Sequence, residues 1–146
     1  MNTAIHKISV ILEDERILYT VRKKILLADS DTASYFLISE LLADYNIRII
    51  HARSGQEAIR LFRQNPFIDM VITEIKLPGL DGFEILKATR AINPFITAIA
   101  QTAYVHNNMK QKCLMSGFNE YIPKPIDFDL FVTVLKKYVP VFQNIN

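Results

Sequence analysis

Polar side chains that could perform phosphate chemistry follow four separate apolar runs of the sequence. Carboxylates can hold a hard cation such as Mg²⁺, while a hydroxyl and an ammonium can hold the oxygens of a phosphoryl group. Such a set is suited to the transfer of a phosphoryl group to a carboxylate. The segments are, in chain order, Asp29-Ser30-Asp31, Glu74, Gln101-Thr102-Ala103 and Lys124-Pro125.

Each of these residues also has a purely structural interpretation. Asp31 or Ser30 could cap the first helix, Thr102 could cap the fourth, and Lys124 could be a solvated loop lysine. The functional interpretation is favoured only when the segments are taken together, because four different strands would have to place polar groups at one rim by accident.

The elements that position these residues are predicted by an alternation of short apolar runs and amphipathic segments, which occurs five times from Lys24 onward. This pattern is typical of an α/β fold with a parallel sheet and helices on both faces. Ligands of such sheets bind beyond the carboxyl ends of the strands. The predicted strands are Lys24–Asp29, Ile47–His51, Asp69–Glu74, Ile96–Gln101 and Glu120–Ile122.

Two of the strands are predicted to be edges, because Arg48 and His51 interrupt the second run and Pro123 follows the fifth. Helical spacing and capping signals predict five helices. They cover Ser34–Ala43, a segment from the capping box at Ser54 to Asn65-Pro66, Phe83–Ala91, Val105–Ser116 and a segment carrying Phe128, Phe131, Leu135 and Tyr138. The fourth helix is poor in apolar residues, so we expect it to be mobile.

Length and composition indicate one globular domain of an ordinary cytoplasmic protein. The chain has 146 residues and a formal net charge of +2, and its single cysteine, Cys113, excludes an internal disulfide. No apolar stretch approaches the ~20 residues of a membrane span, and the basic clusters are too small to indicate direct nucleic-acid binding. We expect a domain over 23–140, a tail over 141–146, and an extension or linker over 1–22 that could form two short strands or an amphipathic helix.

Five sequence segments together resemble the receiver domain of two-component response regulators, over about residues 23 to 139. The sequences of Ile99 to Tyr104 and of Lys124-Pro125-Ile126 are most similar to those of receivers attached to hybrid sensor kinases. The resemblance implies a flavodoxin-like, three-layer sandwich of five parallel strands in the order 2-1-3-4-5 with five helices. The segments are KILLADSD, A-x-x-G-Q-E-A-I, DMVITEIKLPGLDG, IAQTAY and YIPKPI.

The resemblance also implies roles for individual residues. Asp29 and the backbone carbonyl of Lys76 would hold Mg²⁺ together with Glu74, which occupies the phosphoacceptor position. Thr102 and Lys124 would contact the phosphoryl group, and Lys124-Pro125 matches a peptide bond that is often cis. Tyr121 matches an aromatic residue that changes rotamer on activation.

Two residues at the centre of the predicted site depart from the family pattern. Glu74 replaces an aspartate, and Ser30 replaces the second acid of the first strand, which weakens the metal site. Glutamate carries its carboxylate roughly 1.5 Å further, while misplacement by about 1 Å can cost on the order of a hundredfold in a positioned reaction. We expect the longer side chain to bring its oxygens towards Lys124 and Thr102.

Three functional hypotheses follow. The chain could be a degenerate receiver that acts as a protein-docking module, or a working receiver that accepts phosphate at Glu74. In both, the partner is a histidine kinase or histidine phosphotransfer protein, with a possible homodimer through helices 4 and 5, and no enzymatic activity, direct nucleic-acid contact or membrane contact. The third is a flavin or nucleotide binder, which Asp29 and Asp31 disfavour because acids after the first strand repel phosphate.

Overall fold

A computed structural model describes residues 22–105 and 108–139 of the chain. Five parallel strands form one sheet in the order β2-β1-β3-β4-β5, which confirms the predicted fold class and both predicted edges. The strands are β1 (Lys23–Ala28), β2 (Ile47–Ala52), β3 (Met70–Thr73), β4 (Thr97–Thr102) and β5 (Glu120–Pro123). The helices are α1 (Thr32–Leu41), α2 (Gly55–Gln64), α3 (Gly82–Ile92), α4 (Met109–Ser116) and α5 (Phe128–Tyr138).

The sheet is buried on both faces because successive residues of each strand point to opposite sides. Leu27 of β1 packs in a cluster with Ile38 of α1 and Phe131 of α5. Its neighbour Leu26 packs on the other side with Phe62 of α2 and the α3 residue Ile85. Burial of such side chains stabilises the fold by about 1.5–3 kcal/mol each, so the sheet is a rigid platform for the residues at its carboxyl edge.

Side-chain caps fix the start of four helices, each of which follows a strand at that carboxyl edge. Asp31 accepts from the amide of Ala33 at the start of α1, which confirms the capping interpretation of this residue. Ser54 accepts from the amide of Glu57, as the predicted capping box requires. Asp81 and Asp127 cap α3 and α5 in the same way.

The prediction that α4 begins at Val105 is wrong. Val105 is not helical, and the helix begins at Met109 after Asn108, whose φ of 60° is left-handed and interrupts helical geometry. Gly117 ends the helix with a φ of 111°, directly after Ser116, the predicted last residue. Only Met109 and Cys113 of this helix are buried.

Some predictions fall on segments outside the described residues. These include both interpretations of residues 1–21 and the tail at 141–146. The Lys124–Pro125 peptide bond is cis, as the resemblance implied. In the two described ranges, every helix is too short or too polar to cross a bilayer.

Candidate functional site

Lys124 joins two carboxylates at the carboxyl edge of the sheet. Its Nζ lies 2.6 Å from Oδ2 of Asp29, which directly follows β1, and 3.2 Å from Oε2 of Glu74, which directly follows β3. The side chains of Asp29, Glu74 and Lys124 are only 3%, 11% and 14% exposed, respectively. The expected ion pair between Glu74 and Lys124 is confirmed, and the lysine binds Asp29 at an even shorter distance.

Backbone amides occupy the remaining carboxylate oxygens. Oδ1 of Asp29 accepts from the amide of Asp31 at 2.8 Å, and Oε1 of Glu74 accepts from the amide of Ile75 at 2.7 Å. Oε2 of Glu74 also accepts from the amide of Ala103 at 3.4 Å. Every oxygen of the two acids therefore already has a donor.

The electrostatics of the cluster keep Lys124 charged. Burial by itself would lower the pKa of this lysine, but the hydrogen bond that it donates to Asp29 and the negative charges of Asp29 and Glu74 outweigh it. The pKa of Lys124 consequently lies above its ordinary value. The cluster contains two acids and one ammonium.

The other residues with predicted roles lie around this cluster without joining its hydrogen bonds. Thr102 is buried at the end of β4, where its Oγ1 accepts from the amide of Tyr104. It does not cap α4, whose N-cap residue is Asn108. Ser30 is exposed. The ammonium of Lys76 lies 4.0 Å from the centre of the Tyr104 ring, which is a cation–π distance.

Tyr121 lies half-buried behind the cluster, against a group of apolar residues that includes Ile75 and Cys113. Burial is the main cause of its raised pKa, and the nearby Cys113 and Glu74 groups add to the effect. The side chain of Tyr121 therefore lies near enough to Glu74 for the carboxylate charge to affect its pKa.

The residues present do not fit a resident divalent cation in this arrangement. Mg²⁺ requires free oxygen ligands, but both acids are bound to Lys124. No group of three or more His, Cys, Asp or Glu side chains that could hold a metal ion occurs within residues 22–105 and 108–139.

Sequence reasoning missed the amides of Ile75 and Ala103, because a backbone donor has no sequence signal. It also missed Gly82, where an added Cβ would lie 2.6 Å from the carbonyl oxygen of Glu74. The amide of Gly82 donates to the carbonyl of Ile75 at 2.9 Å, so the start of α3 closes tightly over the loop that follows Glu74. The dipeptide Asp81-Gly82 was a usable signal for this close approach.

Comparison with known proteins places the chain in a family. The model of the response regulator receiver domain matches residues 25–136. The chain is 31% identical over 125 residues to the sporulation initiation phosphotransferase F of Bacillus subtilis, covering 85% of this chain and 99% of that protein. It is also 31% identical over 113 residues to the transcriptional regulatory protein ZraR of Escherichia coli, covering 77% of this chain but only 25% of ZraR.

Solved structures agree with these sequence matches. The response regulator receiver domain protein from Clostridium thermocellum has a TM-score of 0.74 and 28% identity, with 81% of this chain and 94% of that chain covered. A signal receiver domain from Vibrio parahaemolyticus shares the fold with a TM-score of 0.75 at 22% identity, covering 82% of this chain and 92% of that one. The chain belongs to the response regulator receiver domain family of two-component signalling.

Proposed function

We propose that this chain is a degenerate receiver that does not take phosphate and acts as a protein-docking module. The supporting observation is the position of Lys124, which lies between Asp29 and Glu74 at hydrogen-bonding distance from both. The ammonium and the two carboxylates fill the space in which a phosphoryl group and its metal would have to be accommodated.

The chemistry of phosphoryl transfer supports this proposal. The attacking group is a carboxylate oxygen, and both oxygens of Glu74 already accept hydrogen bonds here, which lowers their nucleophilicity. Transfer also depends on a cation that neutralises the phosphoryl oxygens, and Asp29 is already bound to Lys124. Glu74 could attack only after the cluster had opened, which costs the free energy of separating a buried ion pair.

The proposed docking partner is a histidine kinase or a histidine phosphotransfer protein, since receiver domains interact with such proteins. Apolar side chains on α4 and α5 remain exposed and could contribute to this contact or to a homodimer, namely Leu114, Met115, Phe128 and Leu130. Analytical sedimentation of the isolated chain separates the two cases. A homodimer through α4 and α5 would sediment as a dimer, and Met115→Ser should weaken its association.

The phosphorylation test compares three proteins: the native chain, Glu74→Asp, and Glu74→Asp combined with Ser30→Asp. Each is incubated with acetyl phosphate and Mg²⁺ and its intact mass is measured. We expect no phosphoryl adduct on the native chain and an adduct on the double variant, because the shorter acid and the restored ligand rebuild the metal site. Glu74→Asp alone shows whether the change of acceptor is sufficient without the acid at position 30.

The alternative is a working receiver with Glu74 as its acceptor. Acyl phosphates form on glutamate as they do on aspartate, so this alternative depends on geometry. A phosphoryl adduct on the native chain, mapped to Glu74 by peptide mass, would establish it and refute the proposal.

A further inference from the structure

A cationic groove lies between α3 and α4, away from the Glu74 cluster. Phe83, Leu86, Lys87 and Arg90 line it from α3, at the spacing that places residues on one face of a helix. Lys112 and Ser116, one turn apart, line it from α4, and Pro94 closes one end. Its volume is about 690 Å³, within the range of small-molecule sites.

The charge of this groove is positive and unbalanced. Lys87, Arg90 and Lys112 line it, and no acidic side chain does. None of the ion pairs in the described part of the chain involves these three cations. Three cations that face one concavity without counter-charges raise the local concentration of anions.

The guanidinium of Arg90 is held in place before any ligand binds. Its Nε donates to the carbonyl of Ile96 at 2.9 Å, and its Nη2 donates to Oδ1 of Asn119 at 2.9 Å. Oδ1 of Asn119 also accepts from the amide of Ala98, which ties the arginine to β4. A fixed guanidinium loses little entropy when it binds an anion, and its planar shape suits phosphate oxygens.

The remainder of the groove is apolar. Leu86 is buried at its base, beside the half-buried Phe83. The ammonium of Lys112 lies 4.9 Å from the centre of the Phe83 ring, so this cation stays close to the groove. A ligand that fits the groove must therefore combine negative charge with an apolar portion.

We propose that this groove binds a small organic phosphate of the nucleoside-phosphate class. Lys87, Arg90 and Lys112 hold the phosphates, and the base packs against Leu86 and Pro94. The site differs from the nucleotide site considered from the sequence, which would lie after β1 beside Asp29. The volume of the groove, which suits a small molecule, and the fixed guanidinium favour such a molecule over an extended acidic peptide.

The test is a titration of the ¹⁵N-labelled native chain with ATP, without divalent metal, followed by ¹H–¹⁵N correlation spectra. We expect saturable shifts confined to residues 83–94 and 109–117. Lys87→Gln and Lys112→Gln should each weaken ATP binding about tenfold, as expected for one lost phosphate contact. Lys136→Gln, an exposed lysine on α5, is the matched control and should leave the affinity unchanged.

Three results would overturn the proposal. The first is the absence of saturable shifts from ATP, and the second is unchanged affinity in both groove variants. The third is equal affinity for inorganic phosphate and ATP, which would indicate a general anion site without a place for the base. An acidic peptide such as tetraglutamate that binds more tightly than ATP would assign the groove to a protein partner instead. All four readouts are independent of the phosphorylation state of Glu74.

Discussion

Replacement of Lys124 by methionine tests the energetic role of the cluster. The change keeps the apolar stem of the side chain but leaves Asp29 and Glu74, 3% and 11% exposed, without their shared cation. Removal of one partner from a buried ion pair costs about 3–5 kcal/mol. Each acid retains an amide donor, so we expect a loss near the lower end, about 3 kcal/mol in the free energy of unfolding.

The matched control is Lys137→Met. Lys137 also pairs with a carboxylate at 3.2 Å, that of Glu120, but its side chain is 57% exposed. Such surface pairs contribute about 0–1 kcal/mol. Urea denaturation at neutral pH, analysed by linear extrapolation, measures both variants. Equal losses of less than about 1 kcal/mol of unfolding free energy in the two variants would refute the reasoning, because the buried ion pairs of Lys124 would then stabilise the fold no more than an exposed pair does.

Three further predictions concern the same scaffold. The raised pKa of Lys124 means that its stabilising contribution is complete below the unfolded value of 10.5 and is lost as pH rises through the higher folded value. The difference in unfolding free energy between the native chain and Lys124→Met should therefore shrink only at alkaline pH. A difference that stayed constant at alkaline pH would contradict this prediction. Gly82→Ala should lower the free energy of unfolding by about 1–3 kcal/mol, because the added Cβ would meet the backbone of Glu74. An unchanged denaturation midpoint would show that the loop after Glu74 can shift without an energetic cost. In hydrogen exchange, α4 should exchange faster than α2, which buries four residues against two in α4; equal protection would count against its mobility.

Much of the fold was predictable because the apolar pattern has a physical cause. Strands buried on both faces require continuous apolar runs, and β3, with all four residues buried, is such a run. The start of α4 was not predictable in this way. It depends on the left-handed backbone of Asn108, and the apolar pattern there is too weak to define a boundary.

The residues of the candidate site were predictable, but the ion pairs and hydrogen bonds that they form were not. The topology brings Asp29, Glu74 and Lys124 to one edge, and their polar character after apolar runs was visible in the sequence. That Lys124 would bind Asp29 more closely than Glu74 depends on side-chain geometry. The hydroxyl of Thr102 accepts a local hydrogen bond, because the amide of Tyr104, two residues later, lies within its reach.

The most direct test of the central claim, that one buried ammonium is bound to both acids, is an NMR titration of the Lys124 side chain. The pKa of Lys124 should lie above the ordinary lysine value of 10.5, fall in Glu74→Gln, and fall further in Asp29→Asn, since Asp29 makes the shorter contact. A Lys124 side chain that titrates at the ordinary lysine value of 10.5 and responds to neither substitution would contradict the claim.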